Sequence, residues 1–210
     1  MSVSLKKGQK IDLTKGNSGL KRLIVGLGWD EAPGLPSSQK SVGLLKNIFG
    51  SYPNRKRGTN VDCDASALVL TNGKLLSQDD LVYFCNLSHN SNCIIHQGDN
   101  LTGAGDGDDE QIFVDLEKMP SQYDKIVFVV NIYKAGERNQ HFEMIKNAFI
   151  RLVNKDNQQE LCKYNLSEDY TGMTAMIFGE LYRQNGEWKF NAIGQAVTDT
   201  SLESLANRYK

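Results

Sequence analysis

The sequence predicts an all-β fold: an antiparallel β-sandwich of two sheets with a few short helices. Three observations lead to this prediction. Apolar runs of strand length recur along the 210 residues with turn-forming residues between them, and helical periodicity is confined to short stretches. The hydrophobic content of 40% is enough for one substantial core in a chain of this length. A single domain is therefore expected.

Three strand-like runs open the chain, at residues 3–5, 11–13 and 23–29, with glycines between them that are typical of turns. Asp30 follows the third run directly. An acidic side chain at the end of a strand can reach a neighbouring loop, which makes Asp30 a candidate metal ligand. A role in a turn or cap is the alternative.

Residues 31–60 differ in character from the rest of the chain, because they hold three of its four prolines and an excess of Lys and Arg over acidic residues. Val42, Leu45, Phe49 and Tyr52 recur at helical intervals and predict a short amphipathic helix. This helix either packs on the body of the domain, with a solvated basic loop after it, or docks to a partner groove or an anionic membrane surface.

Two carboxylates stand on one side of the next predicted strand. Alternation puts Asp62, Asp64 and Ser66 on one face of residues 61–70, with the two carboxylates roughly 6.5 Å apart along the strand. Paired acidic side chains on a strand repel each other and are disfavoured there. A shared cation would compensate them, whereas a solvent-facing edge that resists aggregation is the alternative.

The remaining predicted elements are mostly short strands. Residues 126–132 are apolar on both faces, which indicates a central strand. Asn-Gly pairs predict hairpin turns at residues 71–74 and 185–186. The other predicted strands are residues 81–84, 93–96, 112–116, 149–153, 160–166, 174–183 and 187–197, with a helical turn within 142–148 and a helical tail at 201–209.

An acidic, glycine-rich stretch at residues 98–110 stands out, because the formal net charge of the chain is only −1. Its carboxylates resist ionisation together unless a cation neutralises them, and its glycines permit sharp turns. An EF-hand register fails, because Ala104 occupies the position that requires glycine. Either this is a solvated loop or it is a site for a hard cation such as Ca²⁺, with these acidic residues as ligands: Asp99, Asp106, Asp108, Asp109 and Glu110.

Several other classes of function are disfavoured. The near-neutral charge argues against nucleic-acid binding, and no apolar run reads as a secretory signal or a transmembrane helix. A soluble cytoplasmic protein is the expectation. Spacing alone supports no zinc site, catalytic triad or disulfide scaffold, and we expect reduced, mostly buried thiols at the four cysteines, Cys63, Cys85, Cys93 and Cys162.

Four motifs, in order, resemble the TerD family of tellurium-resistance and stress-response proteins. They are Gly-Leu-Gly-Trp-Asp at 26–30, Asp-Cys-Asp-Ala-Ser at 62–66, the stretch from His96 through Glu110, and residues 179–195 with Gly-Glu-Leu-Tyr-Arg and Glu-Trp-Lys-Phe. The resemblance implies one TerD-like domain over residues 1–210, a non-enzymatic β-sandwich that binds two Ca²⁺ ions. It also implies partners in a stress-response complex at the membrane surface, and it adds Asn100 to the candidate metal ligands.

This chain departs from the family pattern in two places. About thirty residues separate the Gly-Trp-Asp turn from the Asp-x-Asp strand, where the family usually has a short link, so residues 31–60 are interpreted as an atypical basic and amphipathic insertion. Cys63 and Cys85 also replace residues usual in the family. Asn86 follows Cys85 and keeps the family's asparagine, so it is carried over as a metal ligand.

Three functions remain in competition. The leading hypothesis is a cytoplasmic Ca²⁺-binding interaction module, either free or peripheral to the membrane. The second is a metal-dependent hydrolase using the same carboxylates, although His96 is more easily read as structural. The third is binding of a nucleotide, including a cyclic nucleotide, by the glycine-rich loop, which its carboxylates disfavour unless a metal bridges them to phosphate.

Overall fold

In this computed structural model, the described residues are 2–15, 19–32, 61–98, 107–166 and 168–210. Strands that are buried or half-buried are the main secondary structure of these residues, as the short apolar runs predict. In chain order the strands are β1 (Val3–Leu5), β2 (Lys10–Asp12), β3 (Arg22–Glu31), β4 (Cys63–Leu70), β5 (Leu81–Val82), β6 (Ile94–His96), β7 (Glu110–Asp115), β8 (Lys125–Ile132), β9 (Ile145–Asn154), β10 (Glu160–Asn165), β11 (Ala175–Gln184) and β12 (Glu187–Val197). The α-helices are α1 (Ala135–Arg138) and α2 (Leu202–Ala206), and short 3₁₀ turns lie at Gln78–Asp80, Phe142–Met144 and Asn207–Tyr209.

The strands form two six-stranded sheets that pack face to face. The first has the order β1-β10-β9-β3-β7-β6 and the second the order β2-β12-β11-β8-β4-β5. Every pairing within them is antiparallel except that of β1 with β10, which is parallel. The predicted all-β sandwich is confirmed, with this one parallel edge as an addition.

The middle of the second sheet, at β4 and β8, is buried on both faces. The inward side chains of β4 and β8, such as Ala65 and Phe128, join the core between the sheets. Their outward neighbours, such as Leu68 and Val129, pack under Leu205 of α2 in a second apolar cluster. This double burial explains why β8 is apolar on both faces, and the interior position of β8 in the sheet confirms that it is a central strand.

The predicted turns are confirmed and several predicted boundaries shift. Asn72 and Gly73 have φ of 51° and 75°, and Asn185 and Gly186 have φ of 54° and 80°, the left-handed values that Asn-Gly turns adopt. Residues 81–84 form a strand only as far as Val82, and the helical turn predicted within 142–148 ends at Met144, after which β9 begins.

Other predictions have mixed outcomes. All four cysteines are free thiols, and only Cys85 is exposed, which confirms the expectation for them. The helix predicted from Val42 to Tyr52, most of the insertion predicted at residues 31–60, and the candidate ligands Asp99, Asn100 and Asp106 lie outside the described residues. Within the described part of the chain, no helix is long and apolar enough to cross a membrane.

Candidate metal site

Asp62, just before β4, and Asp64, the second residue of β4, are buried, with only 8% and 4% of their surface exposed. The solvent-facing edge considered for them is therefore wrong. Asp64 lies opposite Asn131 of β8, on the outward face of the sheet, whereas Cys63 and Ala65 face the core between the sheets. Arg138 of α1 approaches Asp62, with 3.5 Å between Nη1 and Oδ2. Burying two carboxylates this close needs compensating positive charge.

Glu110 and His96 hold the open edge of β4. Glu110 Oε2 accepts a hydrogen bond of 2.6 Å from the Ala65 N–H, and His96 Nε2 lies 3.1 Å from the Ala65 carbonyl oxygen. His96 Nδ1 accepts from the Gly98 N–H, so the ring proton lies on Nε2 and is donated to Ala65. Strand β5 is too short to pair with this part of β4. The two side chains therefore replace a missing strand neighbour, and His96 is structural.

Asp108 is held by Arg151 of β9 through two hydrogen bonds, from Nε at 2.6 Å and from Nη2 at 3.0 Å. Gln111 donates a third, also of 3.0 Å, to Oδ2. The Asp108 side chain is 1% exposed and lies flat on Gly26 of β3, where a Cβ atom would stand 2.3 Å from its carboxyl carbon. Both oxygens are thus engaged with positive or donor groups of the framework.

Asp109 and Asp30 meet at a bulge in β3. The pairing of β3 with β9 shifts register between Gly28 and Asp30, and Asp109 Oδ2 accepts a 2.7 Å hydrogen bond from the N–H of Trp29 at that point. Burial raises the pKa of Asp109, the Trp29 hydrogen bond opposes this, and the negative charges of Asp30 and Asp108 raise the pKa further. Asp30 is exposed and accepts from the Asn147 side chain at 2.7 Å.

Acidic residues from two parts of the chain affect the buried thiol of Cys63. Burial raises its pKa well above the ordinary value, and four carboxylates add to this effect, in the order Asp64, Asp62, Glu110 and Asp109. Electrostatic effects of this kind require charges close to the thiol. Asp62 and Asp64 are the chain neighbours of Cys63, whereas Asp109 and Glu110 come from the start of β7, which Glu110 links to β4 through the Ala65 N–H.

Among all the residues that the structure describes, Asp30 included, no three His, Cys, Asp or Glu side chains come close enough together to hold one metal ion. A full coordination sphere would need further oxygens, from backbone carbonyls or from the chain between Gly98 and Gly107. Asn86 donates its side-chain amide to the Leu81 carbonyl at 2.8 Å and closes a turn with Tyr83. Its described contacts are those of a turn residue.

Replacing Asp109 with asparagine should stabilise the metal-free protein. The folded pKa of Asp109 is raised, so the folded state binds more protons than the unfolded state just above the ordinary Asp pKa, and stability falls as the pH rises through that window. With chelator, we expect Asp109→Asn to melt a few degrees above wild type at pH 7. At a pH below the ordinary Asp pKa, we expect the two proteins to melt at the same temperature. Thermal melts of both proteins across this pH range measure the difference. The prediction is contradicted if the variant and wild type melt at the same temperature at pH 7 as well as at low pH.

The side chains of Ser91, His89 and Asp80 contact one another in the order of a Ser-His-Asp triad, which their spacing in the sequence did not reveal. Ser91 Oγ lies 2.7 Å from His89 Nδ1, and His89 Nε2 lies 3.1 Å from Asp80 Oδ1. However, His89 is 1% exposed, the Ser91 backbone N–H also points at Nδ1, and Ser91 Oγ accepts from the N–H of Cys93. These bonds close the turn before β6, so the cluster is assigned to that turn.

Comparisons with known proteins agree with the fold and the motifs. The family model described as TerD domain matches residues 1–209. Stress response protein SCP2 of Bacillus subtilis is 50% identical over 209 residues, covering 100% of both chains. Tellurium resistance protein TerD of Serratia marcescens is 45% identical over 210 residues, covering 100% of this chain and 97% of its own length. A crystal structure of a TerD homologue from Streptomyces coelicolor A3(2) shares the fold, with a TM-score of 0.61, 19% identity and coverage of 89% of this chain and 98% of that one.

Proposed function

The chain belongs to the TerD family, and from this premise we propose that it is a calcium-binding protein of a tellurium-resistance type of stress response. In this proposal it binds two Ca²⁺ ions and acts as an interaction module rather than as an enzyme. Its relatives carry the names of stress-response and tellurium-resistance proteins. The observation that supports calcium most directly is the burial of two carboxylates two residues apart, Asp62 and Asp64, with only 8% and 4% of their surface exposed.

Hard cations such as Ca²⁺ prefer carboxylate and carbonyl oxygens, and six to eight of them at roughly 2.3–2.6 Å complete a site. Asp62 and Asp64 lie at the beginning of β4, whereas Asp109 directly precedes β7 and meets Asp30 at the bulge in β3. A cation bound beside Asp109 and Asp30 would offset the repulsion from Asp30 and Asp108, which adds to the effect of burial in raising the pKa of Asp109. Oxygens of Asp99, Asn100 and Asp106 would supply the rest of the coordination in this proposal.

The eight carboxylates predicted as ligands divide into two roles in this proposal. Asp108 gives both oxygens to Arg151, and Glu110 gives one oxygen to the Ala65 N–H, so these two hold the framework on which the site is built. Asp30, Asp62, Asp64 and Asp109 are the stronger ligand candidates. The proposed setting is the cytoplasm, free or at the membrane surface, with other stress-response proteins as partners.

Calcium should raise the melting temperature of the full chain. At a free Ca²⁺ concentration 100 times the Kd, one site adds about 2.7 kcal/mol, which shifts the midpoint of a chain this size by about 5–10 °C. Calorimetric titration and thermal melts, with Ca²⁺ and with chelator, measure both quantities. We expect Asp64→Asn and Asp109→Asn each to weaken Ca²⁺ binding at least about tenfold, since each removes a charged donor.

Asp108→Asn and Asp79→Asn serve as matched comparisons. Asp108→Asn should lower stability with and without Ca²⁺ by a similar amount, because its carboxylate pairs with Arg151. Asp79 is exposed in a 3₁₀ turn, so its variant should bind Ca²⁺ like wild type. An unchanged melting temperature on adding Ca²⁺, or wild-type titrations for both Asp64→Asn and Asp109→Asn, would refute the proposal.

A further inference from the structure

A pocket of about 400 Å³ opens on the outward face of the second sheet. It lies over the start of β4 and the end of β8, and its rim comes from α1 and from the residues that begin α2. We refer to it as the β4–β8 pocket. Its volume falls in the range of small-molecule sites, and all the residues that line it are described.

Three aromatic side chains form one wall of the β4–β8 pocket. Phe84 stands nearly perpendicular to Tyr83, at 80° with 5.4 Å between ring centroids, and to Tyr133, at 88° with 6.3 Å. Tyr133 already attracts cations: the guanidinium carbon of Arg138 lies 4.9 Å from its ring centroid and Lys134 Nζ lies 5.6 Å from it. Perpendicular rings of this kind offer apolar faces to methylene groups and negative faces to a positive charge.

The floor of the pocket provides hydrogen-bond acceptors. Asn131 is 6% exposed, and its Oδ1 has no hydrogen-bond partner among the described residues. Asp64, which is 4% exposed, lies directly opposite Asn131 in the pairing of β4 with β8 and also lines the pocket. A buried amide oxygen without a donor is destabilising. A ligand that brings N–H groups to Asn131 would satisfy it.

The charge around the floor fixes the sign of the ligand. The acidic and basic residues that line the pocket are Asp64, Lys134 and Glu137, and Lys134 pairs with Glu137, with 3.6 Å between Nζ and Oε2, so Asp64 determines the charge of the floor. An anion would meet the buried carboxylate of Asp64, which disfavours phosphate groups. A cation with N–H donors and an apolar stem meets the acceptors and the rings.

The geometry points to a primary alkylammonium group as the ligand of the β4–β8 pocket, carried either by a free polyamine or by a lysine side chain of a partner protein. The ammonium N–H groups reach Asn131 Oδ1 and Asp64, and the methylene chain lies against Phe84 and Tyr133. A quaternary ammonium lacks the N–H donor that Asn131 calls for, and an alcohol of the same length lacks the charge.

The inference is independent of calcium, although Asp64 is shared with the proposed metal site, because the acceptor at Asn131 and the aromatic wall belong to the pocket alone. The test therefore uses the full chain in chelating buffer. Calorimetry and amide NMR shifts follow titration with n-butylammonium, n-butanol and tetramethylammonium. We expect saturable binding of n-butylammonium with shifts at Tyr83, Asn131 and Tyr133, and binding at least about tenfold weaker for the other two probes.

Two variants and a matched control sharpen the test. Gly136 lines the pocket, and a Cβ there meets nothing closer than Thr200 Cγ2 at 4.0 Å, so Gly136→Leu should fill the pocket without unfolding the protein. Asn131→Leu removes the acceptor at similar volume. Both should abolish n-butylammonium binding, whereas Gly19→Leu, at a glycine with open space around it, should not.

Arms of the same titration separate the sources of the ligand. Tighter binding of 1,4-diaminobutane than of a capped Gly-Lys-Gly peptide would indicate a free polyamine, and the reverse order would indicate a partner lysine. Absence of saturable binding by any amine, equal binding of n-butanol and n-butylammonium, wild-type binding by folded Gly136→Leu, or tighter binding of a nucleotide than of any amine would overturn the inference.

Discussion

Glu110→Ala is expected to be about 3 kcal/mol less stable than Glu110→Gln when both are measured with chelator. Both variants remove the negative charge, so the repulsion between neighbouring carboxylates is relieved equally. Only glutamine can still accept from the Ala65 N–H, which Glu110 now binds at 2.6 Å. Alanine leaves that N–H without its acceptor and opens a cavity beside His96 at a side chain that is 1% exposed.

Denaturant unfolding measures this difference, and the expected loss corresponds to a melting temperature lower by about 6–12 °C. The same pair of substitutions at Glu203, an exposed residue of α2, provides the control and should differ by less than about 0.5 kcal/mol. If the alanine and glutamine variants at position 110 have the same free energy of unfolding, Glu110 does not hold the edge of β4.

The second large effect is expected at Gly26. Gly26→Ala should lower the free energy of unfolding by about 3 kcal/mol, because its Cβ would stand 2.3 Å from the Asp108 carboxyl group. Asp108 cannot swing aside at low cost, since its side chain is short, 1% exposed and held by two bonds from Arg151. The methyl group therefore displaces one partner of a charge pair.

A double-mutant cycle isolates this contact. In an Asp108→Ala background the clash disappears, so Gly26→Ala should cost less than about 1 kcal/mol there, a coupling of about 2 kcal/mol. Gly19→Ala, with no atom within 4 Å of the added Cβ, is the control and should be near neutral. If Gly26→Ala lowers the free energy of unfolding equally in both backgrounds, the added methyl group clashes with the strand itself and not with Asp108.

Local patterns were sufficient for the sandwich and its turns. Alternation places Asp64 and Ser66 on one face and Cys63 and Ala65 on the other, and the structure has this arrangement. Alternation does not show that α2 covers the outward face, because α2 lies more than a hundred residues further along the chain. The solvent-facing alternative for Asp62 and Asp64 was wrong because residues far along the chain lie over them, Arg138 of α1 beside Asp62 and Leu202 of α2 at the pocket over Asp64.

The different roles of the acidic residues also could not be predicted from the sequence. Asp108, Asp109 and Glu110 are adjacent and chemically alike, yet one binds Arg151, one caps the Trp29 bulge and one holds β4. Each role depends on a partner from another strand, at separations of 43, 80 and 45 residues. The density of charge along a sequence reveals an unusual stretch. The hydrogen-bond partner of each carboxylate oxygen is known only once the strands are paired in the fold.

The edge strands β1 and β2 have a consequence for how the protein forms. Val3 pairs with Cys162 and Asp12 with Lys189, so the first strands of the chain close the edges of both sheets against strands made last. During synthesis on the ribosome these first strands have no partner until β10 and β12 have emerged. Such long-range pairing slows folding in general, and it leaves the edges of these nascent strands unpaired until their partners have been made.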